Sequence, residues 1–285
     1  NKELLKTFSI TVPGSDDNEA KFIDEVNSKF LLENFQSEFH SRSIIDNLEK
    51  TTWHFDQPLS QPNSIGIYML SELAQKELKV LLSGEGADEL FGGYDRFVPA
   101  RIFTRYPKIS QLINLLRSKT VRRDGQNIIE ILILLSSFSK SDDIKNIYPD
   151  FRIEKALKNR LDIFKELNCN DLYSTYYLYE QSTYLPELLI RQDKMCMANS
   201  VENRVPFLDH RLVELSRMMP QKNKTDFIFP ALINRNLITK KILKNMSTNI
   251  FGKKFTNRKK QGFTVPVNEV LKNNSNREYL MSLLE

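Results

Sequence analysis

The first ninety or so residues alternate short apolar runs with amphipathic stretches, and that order restricts how the chain can close. Leu4 to Val12 reads as a strand ending in the turn residues Pro13-Gly14-Ser15. Asp16 or Asp17 then caps a helix running to about Phe30, with Phe22, Val26 and Phe30 on one face. A second short strand is expected near Phe35 to His40, a helix from Ser43, breaks at Pro58 and Pro62, a helix from Ile65 to Lys76, and a buried-type strand at Val80-Leu81-Leu82. The order is β, α, β, α, α, β. Strands separated by helices pair in parallel, because a parallel crossover cannot be made by a tight turn, and the helices then cover the sheet faces. After Tyr94 the pattern is helical almost throughout, with no alternation of period two. The fold class expected is α/β, a partial parallel sheet followed by an all-helical region, divided as residues 1–95 and 96–285. Five of the ten tyrosines fall between Leu172 and Tyr184. Tyr173, Tyr176, Tyr177 and Tyr184 recur at helical spacing, which favours core packing over base stacking.

Composition narrows the function classes. With 285 residues, 40% apolar and 27% charged, the chain is globular, and collagen-like, disordered and disulfide-scaffold classes are excluded. The longest apolar run, Ile131 to Leu135, is far short of the roughly 20 residues of a membrane helix. No secretory signal opens the chain, so a cytoplasmic location without membrane partners is expected. Cys169, Cys196, His40, His54 and His210 show no zinc-ligand spacing, so any metal should be a hard cation on carboxylates. Formal charge is 41 − 36 = +5, yet Lys222 to Lys260 holds eleven Lys or Arg against Asp226 alone, a local +10. An anionic partner and a solvated lysine-rich face are the competing readings, with phosphate-rich small molecules and RNA both open.

Glycine is sparse, nine in all, but Gly84, Gly86, Gly92 and Gly93 lie within ten residues after the Val80 to Leu82 strand. Glycines at the carboxyl end of a parallel strand let backbone N–H groups approach a ligand, the usual nucleotide position in an open α/β sheet. No G-x-x-x-x-G-K-[ST] occurs, and Gly84-Glu85-Gly86-Ala87-Asp88-Glu89 fails G-x-G-x-x-G at its last position. The loop instead carries Glu85, Asp88 and Glu89. Helix capping accounts for one or two of these acids; a magnesium ligand and a general base account for them together with the glycines.

The stretch Ser83-Gly84-Glu85-Gly86-Ala87-Asp88-Glu89-Leu90-Phe91-Gly92-Gly93-Tyr94 resembles the signature loop of the asparagine synthetases, in the synthetase domain of the ATP pyrophosphatase superfamily. Arg191-Gln192-Asp193-Lys194-Met195 through Val201 to Asp209, and Arg258-x-Lys260-x-Gly262-Phe263-x-x-Pro266, agree with it, as does the opening Thr7-Phe8-Ser9-Ile10. The resemblance implies ATP-dependent amide synthesis. The side-chain carboxylate of aspartate attacks the α-phosphate, pyrophosphate leaves, and ammonia derived from glutamine displaces AMP from the acyl adenylate. The implied cofactors are ATP and Mg²⁺, with Asp88 similar to the family's metal-associated aspartate. Glu85 is similar to the glutamate beside the acyl adenylate, where a carboxylate can hold or deprotonate the incoming nitrogen. Ile10, Ser83 and Gly84 correspond to positions lining the adenine and ribose pocket, though Ile10 on its own reads as core.

Lys194 matches the lysine that contacts the phosphates. It has Ile190 and Ala198 at four residues' spacing and no local acid, whereas Arg191 has Glu187 four residues back and reads as a structural ion pair. Arg204, Pro206, Phe207 and Asp209 read as structural, with Asp209 capping a helix near His210. The family likeness shifts the basic region from RNA toward shielding nucleotide phosphates.

The family's S-G-G-x-D-S loop and its glutaminase domain have no counterpart in these residues. Because the strand before that loop lies at the middle of the family's sheet, the α/β part is expected to show a central slot with exposed apolar edges. The 285 residues alone are expected not to adenylate, with the missing segments supplied by a parent chain or another polypeptide. A non-catalytic remnant used for interaction, and an amidotransferase acting on a sugar or peptide carboxylate, are the alternatives.

Overall fold

The computed structural model describes residues 4–13, 19–108, 128–137, 141–227, 237–258 and 267–283. The expected turn at Gly14-Ser15, the Asp16 or Asp17 cap and the Lys260 to Pro266 motif lie outside these. The chain gathers into two compact units: Asn1–Ser83 with Glu187–Pro206 and Phe251–Glu285, and Gly84–Pro186 with Phe207–Ile250.

In the first unit, β1 (Lys6–Thr11), α1 (Ala20–Phe30) and β2 (Glu33–Glu38) form a parallel β-α-β unit. The register sets Phe8 opposite Phe35, whose rings stack with centroids 5.2 Å apart. Alternation then sorts the two faces of β1. Ile10 packs against a cluster of Phe39, Ile44, Ile65 and Val270, in which α2 (Ser41–Phe55) supplies Ile44, α3 (Ser64–Ala74) supplies Ile65 and the helix Val267–Lys272 supplies Val270. Thr7 and Ser9 turn to α1, where Phe22 and Phe30 meet Phe255 and Phe251 edge-on, as the predicted helical face requires.

Val80–Leu82 forms β3 as expected, but not as a buried strand: Leu82 is 70% exposed. The reason lies in its pairing. Among the described residues β3 bonds in parallel only to a three-residue strand, β4 (Glu202–Arg204), and the two strand pairs do not join. Between them lies a groove of about 1130 Å³ lined by Leu4, Leu5, Thr7, Val80, Leu82 and Asn203, a slot with apolar edges in the place expected. The helical reading beyond Tyr94 also misses β4, β5 (Asp226–Phe227) and β6 (Leu237–Ile238), each too short to show alternation.

The second unit holds α4 (Ala87–Phe91), α5 (Phe97–Arg105), α6 (Ile128–Leu134), α7 (Ser141–Ile147), α8 (Ile153–Leu167), the first part of α9 (Leu172–Met197), α10 (His210–Met218) and α11 (Gln221–Lys224). Tyr173, Tyr176 and Tyr177 are buried, together with Tyr179, among Phe97, Ala100, Leu132, Ile133 and Phe164, so they are core and not a stacking surface, whereas Tyr184 is half-buried against Tyr94 and Arg96. Three of the four buried hydroxyls are bonded locally: that of Tyr177 donates to the Leu90 carbonyl at 2.9 Å, that of Tyr179 accepts from Arg160 at 3.1 Å, and that of Tyr173 accepts from Thr225 at 3.2 Å, while the buried Tyr176 hydroxyl is unbonded among the described residues. After β6 come α12 (Lys241–Thr256), α13 (Val267–Lys272) and α14 (Asn274–Ser282). No helix among the described residues is long and apolar enough to cross a membrane.

Candidate functional site

The glycine-rich bend is built one residue at a time. Ser83 closes β3, its N–H donating to the Arg204 carbonyl at 2.9 Å and its hydroxyl accepting from Asn203 at 3.1 Å. Gly84 follows, exposed, with no atom within 4 Å of where a Cβ would stand. The remaining glycines have internal reasons. Gly86 has φ +88, and a Cβ there would lie 2.3 Å from Leu208 Cδ2; Gly92 has φ +65 and would meet Thr225 Cγ2 at 2.6 Å. At Gly93 a Cβ would fall 1.7 Å from Asp88 Oδ1 and 2.4 Å from Lys240 Cε.

The three acids of the bend have separate fates. Glu89 is 1% exposed and accepts the Tyr94 hydroxyl at 2.5 Å. Burial pushes its carboxyl above the ordinary range and raises the Tyr94 phenol as well, so Glu89 is a packed element of the bend. Asp88 stays partly exposed, with Lys240 Nζ 3.0 Å from Oδ1. Glu85 is half-buried next to Gly84. Around them, Arg96 lies between the rings of Tyr94 and Tyr184 at 4.0 and 4.6 Å and donates twice to the buried Glu180, fixing the far end of the bend against α9.

In the other unit Lys194 has a partner that local spacing did not reveal. Its ammonium donates to Asp56 Oδ2 at 2.7 Å and to the Phe55 carbonyl at 2.8 Å, at the carboxyl end of α2. The ammonium holds the Asp56 carboxyl below its usual range. Arg191 is buried and bonds Gln61 and Asn63, while Glu187 accepts from Ser60. Ile10 is partly buried in the Phe39 and Ile44 cluster. Thus Ser83 and Ile10 fall in the unit that holds Lys194, and Gly84, Glu85 and Asp88 in the other. Asp209 caps α10, accepting from the Arg211 N–H at 3.0 Å, and Phe207 packs edge-on against Phe91, the structural roles read for them.

Sequence reasoning missed Lys240, Asn203 and the Tyr94–Glu89 contact. Lys240 was submerged in the basic run, and no local signal separates it from Lys241, which pairs with Asp226 at 2.6 Å. Among the described residues no group of three or more His, Cys, Asp or Glu forms a metal cluster. Mg²⁺ in phosphate chemistry is held by one or two carboxylates with phosphate oxygens completing the shell. A partly exposed Asp88 carboxylate, already paired with a cation, fits that donor set as one protein ligand.

The Asparagine synthase family model matches residues 1–285. The chain is 29% identical to asparagine synthetase [glutamine-hydrolyzing] 1 of Bacillus subtilis, over 99% of its own length and 45% of that protein's. It is 28% identical to a putative asparagine synthetase of Mycobacterium bovis over 79% of the chain and 35% of that protein, and 25% identical to amidase chry2 of Gibberella zeae over 64% and 32%. The chain therefore spans less than half the length of these relatives. Its helix-rich α/β architecture, with short parallel strand pairs, is that of an ATP pyrophosphatase-type synthetase domain. By the match of its whole length, the chain is a member of the asparagine synthase family.

Proposed function

We propose that the chain is the synthetase part of an ATP-dependent amide-forming ligase that converts aspartate to asparagine through a β-aspartyl adenylate, with ammonia from glutamine. The observation that carries this reading is Gly84. Gly86, Gly92 and Gly93 are each demanded by a positive φ or by an internal neighbour, while Gly84 is demanded by neither. A bare backbone facing open space at a strand end is what close approach of a ligand needs.

The roles follow from chemistry. A carboxylate is a poor acyl donor until its oxygen becomes part of a phosphate leaving group. Ser83 and Gly84 present backbone at the strand end, and Ile10 is assigned to the adenine side. Mg²⁺ supplies neutralisation of phosphate charge when bound, and Asp88 is the residue to hold it. Glu85 holds or deprotonates the nitrogen nucleophile. Lys194 contacts phosphate; its present partner Asp56 is 78% exposed, and a solvent-screened pair of this kind is weak enough to exchange for a phosphate. The groove between the two strand pairs is assigned to a strand carrying S-G-G-x-D-S, from the parent chain or another polypeptide. A sugar or peptide carboxylate in place of aspartate is a second reading, since substrate choice resides in pocket shape and not in the phosphate machinery.

Aspartate-dependent exchange between ATP and pyrophosphate tests the proposal. The chain alone should be silent, and the chain combined with a polypeptide supplying the S-G-G-x-D-S strand should exchange, with Asp88→Asn abolishing the signal. Exchange by the chain alone would overturn the role of the added strand, and silence of the combined system with aspartate and with other carboxylates would overturn the ligase reading.

A further inference from the structure

The basic segment reaches into the bend through one side chain. Lys240 Nζ stands 3.0 Å from Asp88 Oδ1, with both side chains about a quarter exposed. Three features show that this contact is built. Lys240 has φ +48, a left-handed conformation that costs a non-glycine residue strain and persists only where the surroundings impose it. Its backbone is tied at both ends: the N–H donates to the Gly92 carbonyl at 3.3 Å, and its carbonyl accepts from Lys244 at 2.8 Å in the first turn of α12. Its stem crosses Gly93 so closely that a Cβ there would strike both Lys240 Cε and Asp88 Oδ1. The next residue, Lys241, points to a different carboxylate, Asp226.

An ammonium and a divalent cation repel each other and compete for the same carboxylate oxygen. We propose that Lys240 is a positioning residue that holds the Asp88 carboxylate when no metal is bound and is exchanged for the divalent cation on loading. This rests on Asp88 being the metal carboxylate. It gives the basic segment a definite task, that of a resident counter-cation whose displacement accompanies metal entry.

The probe is Mn²⁺ alone, titrated against the 285-residue chain and followed by the paramagnetic resonance of the free ion. Lys240→Met, which keeps the stem and removes the charge, should bind Mn²⁺ about threefold to tenfold more tightly, the size expected for removing a screened, partly exposed cation a few ångströms away. Lys240→Arg should return the affinity toward that of the unsubstituted chain, and Asp88→Asn should abolish binding. In the unsubstituted chain the ζ-nitrogen resonance of Lys240 should move on adding Mg²⁺, a measurement that needs no variant to fold. Unchanged or weaker Mn²⁺ affinity in Lys240→Met, with binding still dependent on Asp88, overturns the exchange while leaving the metal assignment standing. A stationary Lys240 resonance under saturating Mg²⁺ does the same. Binding indifferent to Asp88→Asn, or absent throughout, removes the metal assignment and the exchange together.

Discussion

The two units treat apolar surface in opposite ways. In the second, four tyrosines of α9 and Phe97 of α5 are buried around one another, each ring within about 6 Å of a neighbour and most hydroxyls bonded nearby. In the first, Leu4, Leu5 and Leu82 remain exposed along two parallel strand pairs that do not meet. A sheet gains stability when apolar edges and faces are covered, so an open groove between pairs contributes little of the transfer free energy that the aromatic cluster supplies. The helical unit is closed by its own residues, and the α/β unit keeps apolar strand edges open to pairing.

The largest test of that contrast is a pair of truncations. Phe97→Ala removes a ring that touches those of Tyr94, Tyr173, Tyr176 and Tyr177, and should cost about 3–5 kcal/mol. Leu82→Ala in the open groove should change stability by no more than about 0.5 kcal/mol. Urea unfolding of the two variants measures both. A costly Leu82→Ala would mean that the groove is covered in solution, and a cheap Phe97→Ala would mean that the aromatic cluster is not the core.

How far the sequence announced this arrangement depends on range. Helices at 20–30, 41–55 and 64–74 were readable because their apolar residues repeat within a few positions, and β1 because it is a six-residue run. β4 was not, since three residues cannot show alternation and its partner β3 lies some 120 residues away in sequence. The bend stood out as a cluster of glycines, but Gly93 is crowded by Lys240 as well as by Asp88, and Gly86 by Leu208 as well as held by its positive φ, and Lys240 and Leu208 lie far along the chain. The same limit explains Lys194. Spacing of three or four residues finds partners on one helix and cannot find Asp56, 138 residues away. Among the bend's acids, composition could count Glu85, Asp88 and Glu89 but not tell which would be buried; only packing against Tyr94 separates Glu89 from the other two.

A second, smaller effect comes from the basic segment inside the closed unit. Lys224 is 3% exposed, its ammonium over the face of Tyr177 at 3.7 Å, and burial pushes it down from 10.5 to about 8. A base depressed in the folded state contributes stability that is fully present above 10.5 and is lost as pH falls through about 8. At neutral pH the folded protein therefore carries a cost of roughly 3 kcal/mol from this group, at 1.36 kcal/mol per unit, offset in part by the ring. Lys224→Met should stabilise the chain by about 2–3 kcal/mol at pH 7, and the gain should shrink steadily as pH approaches 10.5. A difference between variant and parent that stays constant with pH would show that Lys224 is hydrated in solution.

The smallest effect separates the glycines that the fold needs from the one it does not. Gly93→Ala places a methyl against Asp88 Oδ1 and Lys240 Cε. Both are far ends of flexible side chains, so the bend need not break, but the ion pair must part and the two side chains must repack. The expected cost is about 1–2 kcal/mol, made of a weak ion pair and modest overpacking. Gly84→Ala meets nothing within 4 Å and has no positive φ to lose, so its stability should stay within about 0.5 kcal/mol of the parent. If backbone approach of a nucleotide is what keeps position 84 bare, the same alanine should weaken ATP binding by the combined, strand-complemented protein while leaving thermal unfolding unchanged. Unchanged ATP binding by a stable Gly84→Ala chain would leave Gly84 with neither a structural nor a ligand-related reason to be glycine, and would remove the observation on which the nucleotide assignment of the bend rests.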